Sequence, residues 1–571
     1  MTHIDTLSDP IEMEVFTNRL LSITEDMNNT LVRSSFSTNI KERKDCSVAL
    51  FDARGRLVAQ GTQIPLHLGS LNGAMAAVLA QYAPTDMAEG DAFISNDPYL
   101  AGGSHLPDIN IITPVFHENA LVFFAANVGH HSDVGGSVPG SIAGGLKSVF
   151  EEGIRIPVVR IARRGAIDED MLRLIAHNTR DPEERVLDLK VQVATNRRGA
   201  EAVRGLLAQM GLARALTAVE DVIRYTRLRL SRRIADLTPG SYSFVNTLDD
   251  DGLGGGEPVQ IKVEVTVANG RLKFDFTGSG KQARGAMNLP VSALNACVYY
   301  AVKALLDPEL AANAGLFEPL DIVAPPGTIV NPEAPAAVGA RSLTAQKVAG
   351  AIFGAFRGVL PPERIMASSN DACPAIVFSG KLRRRAGDFV YLETVGGGAG
   401  ARADLDGMDG VHVHMTNSSN LPIEALENEY PLQVDEYSLV RDSGGAGRMR
   451  GGMALARQIS AHADGIVFSA RSDNHTAGVA TGVLGGHDGR QASLSLTHTD
   501  GSTEILSSKT ANIVLQRGES VRMETSGAGG YGQPADRALA ALARDLRDER
   551  IHPDTARREY GALADEALAQ T

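Results

Sequence analysis

The chain has 571 residues, 43 % of them hydrophobic, 22 % charged and 5 % aromatic, and carries a formal net charge of -13. That composition builds large cores and excludes an intrinsically disordered chain. The acidic surplus excludes a nucleic-acid binder, which needs clustered lysine and arginine. The length predicts two to four domains. Cys46, Cys297 and Cys373 lie far apart with no C-x-x-C pair, so no disulfide framework is expected and a reducing cytoplasm fits best. The start, MTHIDTLSDPIEMEVF, has no basic segment followed by an apolar run, and no apolar stretch approaches about 18 residues. Neither a signal peptide nor a membrane span is expected.

The first element reads as a helix. Asp9 caps it, Pro10 opens it, and Phe16, Leu20, Ile23, Met27 and Leu31 recur at helical steps. Cys46–Asp52 and Arg56–Gln60 form a hairpin that places Asp45 at the mouth of a strand. Leu68–Tyr82 reads as a helix; Gly90–Ser95, Ile109–Phe116 and Ala120–Val128 read as strands. Between and after them lie two polar, glycine-rich loops, Asn96–Asp108 and Gly129–Gly145. Asp168 to Ala235 is helical, and Asn269-Gly270 joins Ile261–Val267 to Arg271–Phe276 as a hairpin. Asn288–Leu306 returns to helix, while Leu320–Ile329 and Ala401–Met415 carry strand and loop character. Tyr437 to Glu524 alternates short strands with glycine turns, as in a sandwich or barrel, and Asp536–Glu549 closes as a helix. The class is α+β. The expected domains are 1–240, α+β with the candidate site; 241–420, α/β; 421–535, β-rich; and a helical tail, 536–571.

Chemistry concentrates in SNDPYLAGGSHLPDIN (Ser95–Asn110) and NVGHHSDVGG (Asn127–Gly136). These bring Asp97, His105, Asp108, His130, His131 and Asp133 close in sequence on loops that follow strands, where glycine lets the backbone aim several ligands at one point. Neutral imidazole with carboxylate suits Zn²⁺, Mn²⁺ or Fe²⁺. Isolated H-x-x-D patterns are also common at surfaces, and His131 and Asp133 equally fit residues that orient a ligand. A lone Asp45 before a strand is ordinarily a turn residue. No G-x-x-x-x-G-K-[ST] loop is present; Gly396-Gly397-Gly398 and Gly444-Gly445 lack its lysine and read as turns.

From Pro10 to about Pro534 the chain resembles the hydantoinase B/oxoprolinase family. The resemblance rests on KDCSVALFD (Lys44–Asp52), GTQIPLHLGSL (Gly61–Leu71), the two stretches above, HVHMTNSSNLPIEALE (His412–Glu427), DSGGAGRMRGG (Asp442–Gly452) and SGAGGYGQP (Ser526–Pro534). It departs where relatives carry an arginine-rich stretch and this chain has ARSDNHTAGVATGVLGG (Ala470–Gly486). The resemblance implies one divalent metal ion (Zn, Mn or Fe) on Asp45, His105, Asp108 and His130. It also implies ATP and Mg in a hydantoinase A/oxoprolinase A-type ATPase partner, in a hetero-oligomer. The partner phosphorylates the amide carbonyl of a cyclic substrate, and the metal lowers the pKa of water so that it can attack. Asp133 or His131, near His130 in sequence, are the expected proton acceptors. His67 is expected to line the pocket; His412 and His414 alternate on a strand and so face the same side, where either reaches the substrate or serves the structure. The leading expectation is ATP-dependent opening of a hydantoin, 5-oxoproline or lactam. A ketone carboxylase of the acetone or acetophenone type and a non-catalytic scaffold are the alternatives.

Overall fold

In this computed structural model, which describes residues 10–61, 63–254, 256–383 and 387–570, the first helix runs Pro10–Ser34. It buries Phe16, Leu20, Met27 and Leu31 of the stripe expected from the periodicity, and Ile23, the fifth member, is half-buried. The expected cap, Asp9, lies outside the described residues.

The first sheet has seven strands: β1 (Cys46–Asp52), β2 (Leu57–Gln60), β3 (Ala92–Ser95), β4 (Asp108–His117), β5 (Ala120–His130), β6 (Val159–Arg163) and β7 (Ala166–Ile167), in the order β2-β1-β5-β4-β3-β6-β7. Every pairing in it is antiparallel. Helices Pro10–Ser34 and Pro182–Met210 cover one face, and helix His67–Gln81 covers the other. The central strands are therefore buried on both sides, which is why ALVFFAANV is apolar without alternation.

A second sheet orders β8 (Gly240–Leu248), β9 (Val259–Ala268), β10 (Arg271–Asp275) and β11 (Leu320–Val323) as β11-β10-β9-β8. Helices Val291–Leu306 and Arg341–Phe356 lie between the two sheets, Arg341–Phe356 against β8 and β9 and Val291–Leu306 against His67–Gln81. A Cβ at Gly69 would stand 1.8 Å from the Ser292 carbonyl oxygen, so glycine sets how closely those last two helices approach.

Two further sheets pack face to face. One is β13-β12-β16-β19, built from β12 (Ala375–Lys381), β13 (Asp388–Thr394), β16 (Ile466–Arg471) and β19 (Lys509–Leu515). The other is β14-β15-β20-β17-β18, from β14 (Leu432–Leu439), β15 (Leu455–Ala461), β17 (Ser493–Thr497), β18 (Thr503–Ile505) and β20 (Ser520–Glu524). Phe378, Tyr391 and Phe468 of the first meet Ile459, Leu494 and Met523 of the second in one core, a β-sandwich. The first of these sheets draws strands from both sides of residue 420, where a boundary was expected. Helices Leu539–Arg547, Pro553–Tyr560 and Ala562–Leu568 follow the sandwich.

The architecture is α+β, with local corrections. Ala401–Met415 forms no strand; it holds two isolated bridges, Arg402 to Met366 and Val411 to Gly397, and His414 sits at φ +52°, which breaks any alternation. The strand expected over Leu320–Ile329 ends at Val323. The three cysteines are buried and unpaired. Among the described residues no helix is long and apolar enough to cross a membrane.

Candidate metal centre

Three neighbouring strands deliver the cluster. Cys46 of β1 pairs with Gly129 of β5, and Asp108 of β4 pairs with His130 of β5. Asp45 directly precedes β1, and its carbonyl accepts the His130 N–H at 2.9 Å. Asp45, Asp108 and His130 therefore leave the sheet at one end. Asp108 and His130 are strand residues and not loop residues as expected, so the sheet ladder fixes their backbones. His105 joins through a tight turn in which the Asp108 N–H donates to the His105 carbonyl at 3.2 Å.

One donor atom each from His105, Asp108 and His130 falls within 4.8 Å of the others. His105 Nε2 and Asp108 Oδ1 are 3.1 Å apart. They are misaligned for a hydrogen bond, and both are buried with no hydrogen-bond partner among the described residues. Such orphans cost about 1–3 kcal/mol each, and a cation bonded to both accounts for them. His105 Nδ1 lies 3.3 Å from the Gly339 carbonyl. A carbonyl only accepts, so the proton sits on Nδ1 and the Nε2 lone pair faces the cluster. His130 Nδ1 stands 3.3 Å from the Asn39 amide nitrogen. Asp45 lies at the edge of the cluster: its Oδ1 is 3.5 Å from His67 Nε2, which is 3.6 Å from Asp108 Oδ1.

The electrostatics suit a cation. Burial, and then Arg341, pull the His105 pKa down to about 4, and burial with His105 nearby holds His130 well below the ordinary imidazole range. Both are neutral lone-pair donors near pH 7. Burial pushes Asp108 up, but His105, Arg341 and His67 together outweigh it and hold the carboxyl well below its usual value. Burial raises Asp45, partly offset by His67 and Arg43. Two imidazoles and two carboxylates fit Zn²⁺, Mn²⁺ or Fe²⁺.

His67 opens its helix with Nδ1 3.1 Å from Ser47 Oγ and belongs to the cluster. His131 does not offer a free nitrogen: Nε2 is 2.9 Å from Gln192 Oε1, and Nδ1 meets Arg185. Asp133 accepts the N–H groups of Gly135, Gly140 and Arg180 and the Arg180 guanidinium, which shapes its loop. Asp97 caps Tyr99 and Leu100 and pairs with Arg155 at 2.7 Å. His414 and His412 do not act as a pair. His414 Nε2 is 2.9 Å from Asp371 Oδ1. Burial and the nearby Arg43 hold His412 at about 4, and its buried Nε2 has no hydrogen-bond partner among the described residues.

Sequence reading missed Arg43, Glu152, Gly339, Arg341 and Arg471. Arg43 lies two residues before Asp45 and Arg471 falls in the divergent stretch Ala470–Gly486, whereas no motif marks Glu152, Gly339 or Arg341. The glycine runs pack backbone on backbone: a Cβ at Gly398 would stand 2.1 Å from the Gly452 carbonyl oxygen.

The family model for hydantoinase B/oxoprolinase matches residues 9–534. The chain belongs to the hydantoinase B/oxoprolinase family. It is 30 % identical to a putative D-/L-hydantoinase subunit of Pseudomonas sp. (strain NS671), over 97 % of this chain and 95 % of that one. It is 32 % identical to the 5-oxoprolinase of Dictyostelium discoideum over 93 % of this chain, but spans only 41 % of that longer protein. Among solved structures, the ATP-dependent caprolactamase from Pseudomonas jessenii superposes with a TM-score of 0.91 at 28 % identity, covering 98 % of this chain and all of that one. Acetone carboxylase shares the fold, with a TM-score of 0.88 at 19 % identity over 99 % of this chain and 83 % of that one.

Proposed function

We propose that this hydantoinase B/oxoprolinase chain is the ring-opening half of an ATP-dependent cyclic amidohydrolase. It acts on a hydantoin, 5-oxoproline or lactam that a hydantoinase A/oxoprolinase A-type partner has phosphorylated on the carbonyl oxygen. The observation that carries this reading is the orphaned pair His105 Nε2 and Asp108 Oδ1 beside His130 and Asp45. The likeness to an ATP-dependent caprolactamase over nearly the whole chain supports the cyclic-amide class.

His105, Asp108, His130 and Asp45 hold one divalent ion, while ATP and Mg stay with the partner. Such an ion acidifies water toward neutral pH. The chain's own residues do the rest. Gly339 keeps the His105 proton on Nδ1. His67, fixed by Ser47 and aimed between Asp45 and Asp108, accepts the proton from water at Nε2. It takes the role expected of His131 and Asp133, whose atoms are engaged elsewhere. His412 contacts substrate beside Arg43. Water adds to the carbon that bears the phosphorylated oxygen, and the ring C–N bond breaks with its electron pair and a proton going to nitrogen. The acyl phosphate that remains takes a second water and releases phosphate, leaving a carboxylate.

The test is an ATPase assay with the partner present, against hydantoins, lactams and ketones. A cyclic amide should stimulate ADP formation without bicarbonate, and oxygen from labelled water should enter the new carboxylate. The chain alone should hydrolyse no ATP. A strict bicarbonate requirement with a ketone as the only stimulating substrate would overturn the hydrolase in favour of a carboxylase. A purified chain that takes up neither Zn²⁺ nor Mn²⁺ would point to a scaffold.

A further inference from the structure

Three arginines close the cluster on its cationic side. Arg43 donates to Asn39 Oδ1 at 2.9 Å and to Thr394 Oγ1 at 3.0 Å, and its nearest carboxylate, Asp45, is 3.8 Å away. Arg341 begins the helix between the sheets and reaches Asp108 Oδ2 at 2.5 Å. Arg471 ends β16 and donates at 2.9 Å to the Gly339 carbonyl, the one that faces His105. The three are 0 %, 3 % and 4 % exposed. Each also keeps a buried Nε–H with no partner among the described residues.

The charges do not balance. Three guanidinium groups face two carboxylates, Asp45 and Asp108, an excess of one positive charge. A divalent ion on neutral imidazoles raises the excess to three. Glu152, within electrostatic reach of Arg341, removes little of it, because burial pushes its pKa up to about 8. A buried cationic excess is unfavourable unless an anion shares the space. Guanidinium groups with free N–H donors suit a tetrahedral oxoanion, which takes several charge-assisted hydrogen bonds at once.

We propose that Arg43, Arg341 and Arg471 form an oxoanion site that holds the phosphoryl group of the activated substrate, and the phosphate it becomes, against the metal centre. The assignment to a phosphoryl group rests on the ring-opening reading above. The site anchors the substrate by the group that the partner has added, so an unphosphorylated ring lacks its main handle.

The test is calorimetric titration of the full-length, Zn²⁺-loaded chain with inorganic phosphate, and separately with acetate. Phosphate should bind once per chain, and acetate at least tenfold more weakly. Arg471→Gln should weaken phosphate tenfold or more with metal content unchanged, and Arg471→Lys should fall between, since it keeps the charge but loses the fork. If Arg471→Gln fails to fold, Arg471→Lys and Arg43→Lys carry the comparison. The proposal is overturned if phosphate does not bind, if acetate binds as well, or if the variants bind phosphate like the parent. Ring opening by a chain that binds no phosphate refutes the site and spares the hydrolase. Phosphate binding by a chain that opens no ring supports the site and refutes the hydrolase.

Discussion

Replacing Glu152 by Gln tests whether a buried acid sets how the structure around the cluster responds to pH. Glu152 is fully buried; its Oε1 accepts the Val338 and Gly339 N–H groups, and its Oε2 has no partner among the described residues. Burial pushes its pKa from 4.5 to about 8, against the pull of those two N–H groups. Between these values the folded chain holds a proton that the unfolded chain has released. The stability this confers is complete below pH 4.5 and is lost as pH rises through about 8. At about 1.4 kcal/mol per pH unit, the loss across the window reaches about 5 kcal/mol. Glutamine keeps the accepting oxygen and does not titrate. In urea denaturation of parent and Glu152→Gln at pH 5, 6, 7, 8 and 9, other titrations cancel in the difference. That difference should move steadily toward the variant up to pH 8 and then level off. A difference flat with pH would show that Glu152 is ionised throughout and refute the reasoning.

Two further outcomes follow from the cluster. His105→Ala or His130→Ala should lose most bound metal by elemental analysis and lower turnover by orders of magnitude. The circular dichroism spectrum should persist, because strand pairing holds His130 and a backbone turn holds His105; full metal occupancy in His130→Ala would refute the ligand assignment. Asp133→Asn should lower stability by about 2–3 kcal/mol, because it weakens charge-assisted bonds to Gly135, Gly140 and Arg180. Metal content and the pH profile of turnover should not change. Unaltered stability with lost turnover would instead restore Asp133 as the proton acceptor.

What could be read from the sequence followed the range of each signal. The helical period marked the first helix, a β-rich run with a turn marked the β1–β2 hairpin, and an unbroken apolar run marked β5, because local burial writes those patterns. His105, Asp108 and His130 stood out because metal-binding residue types crowd two short segments, and the family resemblance added Asp45. His131 and Asp133 showed the same crowding, yet they face Gln192, Arg185 and Arg180. Proximity in sequence does not say which way a side chain turns after a strand ends. Arg341 was invisible because pairing across 233 residues with Asp108 leaves no local trace. The sheet that joins β12 and β13 to β16 and β19 was hidden for the same reason.

The separation of Arg341 and Arg471 from the ligands also has a consequence in time. The four candidate ligands lie between residues 45 and 130, whereas Arg471 comes about 340 residues later. At about 5–20 residues per second on the ribosome, that gap lasts roughly 20–70 seconds. During it, the nascent chain carries the imidazoles and carboxylates with Arg43 already beside Asp45 but without Arg471. Zn²⁺, Mn²⁺ and Fe²⁺ all suit such donors, and selection among them in cells depends on availability as well as affinity. The ion that reaches the half-made protein first therefore meets one guanidinium group beside the donors, whereas the finished protein sets three around the cluster.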